Sequence, residues 1–403
     1  DAGHPDLAVL EVLGAILDGG ENSRLNTALI RSGKAVDVQV LEDYSEEGGM
    51  FGQLAIVSPT GDLAEVQGLL DAELARLRTE PVTEAELAEA RNELVAASLS
   101  ARETARGRAF EIGEMLVMTG DPRSADRRLA AIAAVTAADV QRVAATLLDP
   151  QARVDVTYAR GPHDPAEYAN PVPMPTFRFL PPPVGEPLAV LPEGERQAPP
   201  GPGERPSVTA PELVRHALGN GMAVIAAQTT DVPVATLSVL FPGGSASDPR
   251  AQAGLADLAA ALANRGTATR SAQDIAARLE SLGARFSAAA RSDGTVFTLS
   301  APAANLAAAG AVFADIIRSP AFPADEVARE RDRAVEGLRV ATNEPGSLAA
   351  MALRPVLYGD APYGNVTDGT LASLAGLTEA DLAAHAATWW HPAAAHGVVT
   401  GGI

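Results

Sequence analysis

A chain of 403 residues, 47% of them apolar, is long enough to bury cores in two or more domains, and with aromatics at only 4% those cores should be close helix packings of Ala, Leu and Val. A formal charge of −20 argues against nucleic acid, because binding a polyanion needs clustered Lys and Arg that release counterions. The absence of cysteine excludes a disulfide framework, a thiol nucleophile and a cysteine zinc site.

In chain order, the spacing predicts a helix over 6–17, capped by Asp6 and stopped by Asp18-Gly19-Gly20. A second helix over 22–31 ends at Gly33. Alternation predicts strands over 35–42 and 49–58, and Pro59-Thr60-Gly61-Asp62 turns into a helix over 62–78. Thr83 with Glu86 three residues on is a capping box that opens a long helix. Helices over 105–119, 124–134 and 137–147 follow, and 152–159 alternates as a closing strand. Strands on both sides of a helical run make an α+β layer, a first domain over 1–160.

The stretch 161–211 holds 15 of the chain's 30 prolines. Proline cannot donate to a ladder and disfavours helix before it, so this stretch is an extended linker. The second domain, 212–403, opens with the hairpin signal Asn220-Gly221 between apolar alternating runs. A strand over 234–241 leads through Phe241-Pro242-Gly243-Gly244 to a helix beginning at Gly254, with Leu255, Leu258 and Leu262 at buried-face spacing. A helix over 271–282, a hairpin about Ser292-Asp293-Gly294, and helices over 303–318, 323–342 and 345–358 come next. Trp389-Trp390-His391-Pro392 precedes a last strand that starts at His396.

Catalytic motifs of the common kinds are missing. No Gly-x-Ser-x-Gly elbow, Gly-x-x-x-x-Gly-Lys-Ser/Thr loop or Gly-x-Gly-x-x-Gly after a strand occurs, and Gly243-Gly244 reads as a turn. Zinc hydrolysis needs three ligands on rigid elements and a base near the open position, with two ligands one helical turn apart. The six histidines, His4, His163, His216, His385, His391 and His396, include no pair three or four apart. Trp389 and Trp390 read as core anchors rather than a peptide-binding surface.

The run Gly-Leu-Ala-Asp-Leu-Ala-Ala-Ala-Leu-Ala-Asn-Arg-Gly-Thr over 254–267 resembles the zinc helix of the M16 (pitrilysin, insulinase and mitochondrial processing peptidase) family, where Gly-Leu/Ile-Ala-His-x-x-Glu-His is followed by Gly-Thr. Further likenesses are the stretch after Asp18, the Asn220-Gly221 hairpin and Tyr358-Gly359-Asp360-Ala361-Pro362-Tyr363-Gly364. In that family two histidines and a distal glutamate bind zinc, and a first glutamate activates water. The matching positions here hold Asp257, Ala260, Ala261 and Gly337, so the resemblance implies a zinc frame without its chemistry.

The resemblance further implies two α/β sandwich domains, each a mostly antiparallel sheet covered by helices. The first is the C-terminal-type domain of a first half, the second the degenerate N-terminal-type domain of a second half. Both ends of the chain look cut, which marks a fragment of a longer protein. The expected function is the inner, non-zinc-binding portion of a zinc-dependent endopeptidase, forming chamber wall and substrate contacts. No cofactor is expected in this chain, and zinc would sit in the missing first domain. Its partners are then unfolded peptides and the missing M16 domains or an active partner subunit, with no nucleic acid and no membrane span. The alternative is a non-catalytic scaffold or partner subunit. A periplasmic location is expected from the lack of cysteine, and otherwise a soluble cytoplasmic one.

Overall fold

Val9, Val12, Leu13, Ile16 and Leu17, three and four residues apart, put one stripe of the first helix into a core, and the computed structural model builds α1 there (Leu7–Asp18). The structure describes residues 2–46, 48–58, 61–158, 191–198, 201, 203, 209–229 and 232–403. It divides into two compact units, Asp1–Asp149 with Pro211–Ile403, and Pro150–Ala210.

In the first lobe of the larger unit, β1 (Ala35–Tyr44) and β2 (Gly49–Val57) form a two-stranded antiparallel sheet, with Tyr44 opposite Gly49 and Ala35 opposite Val57. Helices α2 (Leu63–Thr79), α3 (Glu84–Ala101), α4 (Ala105–Thr119), α5 (Ser124–Ala134) and α6 (Ala137–Leu147) follow. Val66, Leu77, Leu87, Ile132, Val140 and Val143 join the α1 stripe in one apolar cluster that also takes Ala35 and Val38 from β1. The start of α3 is fixed as its sequence predicts: the Glu86 amide donates to Thr83 Oγ1 at 3.2 Å, and the Thr83 amide donates to Glu86 Oε2 at 2.8 Å.

Two expectations fail in this half. Where a helix over 22–31 is predicted, the chain forms a π-helical turn, Asn26–Ile30, with the Arg31 amide donating to the Asn26 carbonyl at 3.0 Å. Leu25 and Leu29, four residues apart, share its buried face with zero exposure. The closing strand over 152–159 is absent from its described residues: Val154, Val156 and Tyr158 are 88%, 87% and 101% exposed and have no ladder partner among the described residues. Alternation makes a strand only where a sheet edge receives it. Most of the proline-rich stretch, His163 included, lies outside the described residues, and within Pro150–Ala210 a short 3₁₀ turn, Glu193–Glu195, is described.

The second lobe carries a six-stranded sheet in the order β3-β4-β8-β5-β7-β6, from β3 (Val214–Ala217), β4 (Ala223–Gln228), β5 (Val234–Pro242), β6 (Arg285–Ala290), β7 (Gly294–Pro302) and β8 (His396–Gly401). Every pairing is antiparallel except β4 with β8. Val239 faces Phe297 in the register, so the inward side chains of β5 and β7 meet in one layer. Helices α7 (Leu255–Leu262), α8 (Ala272–Ser281) and α9 (Leu306–Arg318) bring Leu258, Leu262, Ile275, Val312, Phe313 and Ile316 onto that layer. Phe297, with zero exposure, stands at its centre, edge-on to Phe241 at 5.7 Å and to Trp390 at 4.8 Å.

Then come α10 (Ala324–Thr342), α11 (Pro345–Tyr358), α12 (Leu371–Gly376) and α13 (Glu379–Trp389). The last two are not among the predicted helices. Each is opened by a capping box, Thr370 with Ser373 and Thr378 with Asp381. The lobes touch where Glu280 of α8 accepts hydrogen bonds from the Glu21 amide and Asn22 Nδ2, both at 2.9 Å. Asn92 Nδ2 of α3 donates to the Ser281 carbonyl at 2.7 Å, and Arg265 pairs with Glu21 at 2.6 Å. Among the described residues no single helix is long and apolar enough to cross a membrane.

Candidate functional site

Gly254 opens α7 at a φ of 91°, and a Cβ there would lie 2.8 Å from the Gly369 Cα, so the position requires glycine. The first amides of α7 are orphan donors, and a residue the sequence reading passed over satisfies them. Asp248, 6% exposed, accepts from the Gly254 amide through Oδ2 and from the Ala256 amide through Oδ1, both at 3.1 Å. Burial outweighs these bonds and pushes the Asp248 carboxyl up to about 7. Asn365 Nδ2 fixes the loop that carries Asp248 by donating to the Ser245 and Asp248 carbonyls at 3.0 and 2.9 Å. An Asp six residues before a glycine-led helix was the available signal, but its cap reaches across a 3₁₀ turn, Arg250–Gln252, which no local pattern marks.

The four residues matched to the zinc frame fall on two helices. Asp257 and Ala261, one turn apart on α7, are partly buried, while Ala260 is 2% exposed within the apolar packing. Gly337 lies on α10 at an exposed position. The two alanines and the glycine offer a metal no donor atom, and Asp257 alone brings a carboxylate. Burial first, then the charges of Asp368 and Glu330, raise that carboxyl to about 6. Among the described residues no group of three His, Cys, Asp or Glu is placed to hold a metal ion. The residues present do not fit zinc, and no hydrolytic step passes through them.

The other singled-out residues are structural. Trp390 is 6% exposed in the core beside Phe297, and a Cβ on Gly243 would run into the Trp389 ring. His385, 5% exposed and 6.4 Å from the Trp390 ring, is pushed down to about 4 by burial, which keeps it neutral. His391 Nδ1 accepts from the Ala393 amide at 3.3 Å and caps a 3₁₀ turn, and His396 is exposed on β8. Gly243 has a φ of 88° and its carbonyl accepts from Thr295 Oγ1, as suits a turn.

Family models match both lobes: the insulinase (peptidase family M16) model over residues 223–370, which includes α7, and the peptidase M16 inactive domain model over residues 1–94. The chain belongs to the M16 family. Among relatives, an uncharacterized zinc protease of Mycobacterium leprae is 25% identical over 187 residues, which are 46% of this chain and 42% of the relative. An uncharacterized zinc protease of Mycobacterium tuberculosis is 28% identical over 168 residues, 42% of this chain and 38% of the relative. The chain thus spans less than half the length of these curated relatives. Of solved structures, the peptidase M16 inactive domain from Pseudomonas fluorescens is similar at a TM-score of 0.46 and 29% identity, covering 48% of this chain and 47% of that one.

Proposed function

We propose that this chain is the inner, non-zinc-binding portion of an M16-type zinc-dependent endopeptidase that degrades or processes unfolded peptides. Its part there is to form chamber wall and substrate contacts, while zinc sits on another domain of the parent protein. The observation that carries this reading is α7 itself. The helix keeps its obligatory Gly254 and its packed leucines, yet has Ala260, Ala261 and, on α10, Gly337 at the positions of chemistry. A frame kept without its ligands suits a half whose task is shape. Its formal net charge of −20 favours basic peptides by long-range attraction, an effect that salt screens.

Elemental analysis of the dialysed chain tests the first clause: much less than one zinc per chain is expected, and about one would refute it. Peptide cleavage by the full-length parent tests the second. Cleavage abolished by a chelator is expected. Absent or chelator-insensitive cleavage would leave the non-catalytic scaffold or partner subunit as the reading.

A further inference from the structure

A cavity of about 640 Å³ opens in the first lobe between residues 2–5, the end of β1 and helices α1, α4 and α5. Its volume is that of a small-ligand site, and none of the zinc-frame residues lines it. Glu11 on its wall is 2% exposed. Glu11 Oε2 accepts a hydrogen bond from Arg128 Nε at 3.0 Å, while Oε1 makes no hydrogen bond and is met only by the Arg128 Nη2 charge at 2.6 Å. The second guanidinium, Arg127, is held by Asp121 at 2.7 Å.

Both guanidinium groups on the wall are therefore engaged, and three more carboxylates, Glu42, Asp43 and Glu114, line the same space. Glu42 and Glu114 have no ion pair among the described residues. The Glu42 carboxylate rests on Gly14 of α1, where a Cβ would overlap its Oε1. Glu42 as a whole is exposed, but desolvation of its carboxyl against α1, and the charge of Glu11, raise that carboxyl to about 7. The groups that face it are Tyr44 on its own strand, Glu11 of α1 and Arg128 of α5, with Asp43 of β1, Glu114 of α4, Arg127 of α5 and His4 also on the lining. An anion would add to this carboxylate excess, whereas a cation would answer it. The rest of the lining mixes the polar Thr119 and Ser124 with adaptable apolar side chains, among them Met115, 7% exposed, and Met118.

We propose that this cavity binds a cation on an aliphatic stem, the ammonium or guanidinium of a Lys or Arg side chain, with its charge answered by Glu42 and Glu114 and its methylenes on Met115 and Met118. Binding stands on the cavity and is independent of peptidase activity; only the peptide source of the side chain rests on the proposed function. The same chemistry is offered by a free diamine, which the test separates.

The test is calorimetric titration of the intact chain, at low salt and about pH 8 so that Glu42 is ionised, with Nα-acetyl-lysine amide and Nα-acetyl-arginine amide. The uncharged norleucine amide and cadaverine are the comparison ligands. A charged amide is expected to bind about tenfold or more tightly than the norleucine amide. Glu42→Gln should lose that advantage while melting no lower than the parent chain. Near pH 7 binding should release a proton, read as a binding heat that varies with the buffer, and Glu42→Gln should abolish that variation. Equal binding of the norleucine amide, or full affinity in both Glu42→Gln and Glu114→Gln, overturns the proposal. Cadaverine binding more tightly than either amide overturns the side-chain assignment. Loss of peptide cleavage by the parent bears on none of these readings.

Discussion

Replacing Glu93 by Gln should stabilise the chain, and only when the pH is above the acid range. Glu93 lies on α3 where the lobes meet, lining a cleft with Glu280 and Arg285, and its Oε2 has no hydrogen bond among the described residues. Burial first, then the charge of Glu280, raise the carboxyl from 4.5 to about 7; Arg285 opposes this and Asp18 adds to it. Between those two pH values the folded chain holds a proton that the unfolded chain has released. Stability therefore falls as pH rises through that window; the cost is absent below it and complete above it. A displacement of that size corresponds to roughly 3 kcal/mol, and water in the cleft reduces the expected figure to about 1.5 kcal/mol. Glutamine has a similar shape and no charge, so the variant should gain about 1.5 kcal/mol at about pH 8 and almost nothing near pH 4.5. Urea unfolding of both proteins at the two pH values, with equal slopes, gives the difference directly. A variant no more stable than the parent at the higher pH, or one stabilised equally at both, would refute the reasoning.

Phe297→Ala should lower stability by about 3–5 kcal/mol in the same urea assay, because the ring is fully buried against Phe241 and Trp390; a loss under about 1 kcal/mol would mean the layer closes around the gap. Gly254→Ala should cost about 1–3 kcal/mol, seen as a lower Tm, since φ is 91° and the Gly369 backbone stands 2.8 Å from the new carbon; an unchanged Tm would place the strain elsewhere. Brief chymotrypsin treatment should cut first after Tyr158, which is 101% exposed and outside any described strand or helix; a first cut after Phe297 or Trp390 would contradict the described core.

Where local chemistry decides a structure, the sequence was readable. Thr83 and Glu86 start α3, Asn220-Gly221 turns β3 into β4, and Leu255, Leu258 and Leu262 fix the buried face of α7. The M16 frame was legible for the same reason, since its glycine and leucines are dictated by packing at one helix. What escaped depends on partners distant in the chain. Residues 152–158 alternate like a strand but pair with no strand among the described residues, and no residue pattern marks the π-helical turn at Asn26–Ile30. The α12 and α13 helices carry capping boxes, yet their alanine-rich stretches have little periodic contrast. Asp248 and the Glu11, Glu42 and Arg128 group are brought together only by the fold, across separations no motif spans.

The parallel seam between β4 and β8 governs when the second lobe can assemble. β8 comes last in sequence but sits in the middle of the sheet, with β4 on one side and β5 on the other. As the chain leaves the ribosome, β6 and β7 can pair across a short turn, β5 can join β7 once the two intervening helices have emerged, and β3 can pair with β4. These remain two separate pieces until His396–Gly401 emerges and bridges them. Until then β4 and β5 each present an unpaired edge, the kind of surface that recruits other chains. Six residues thus act as a keystone, and a nascent chain stalled short of them holds a sheet in two parts.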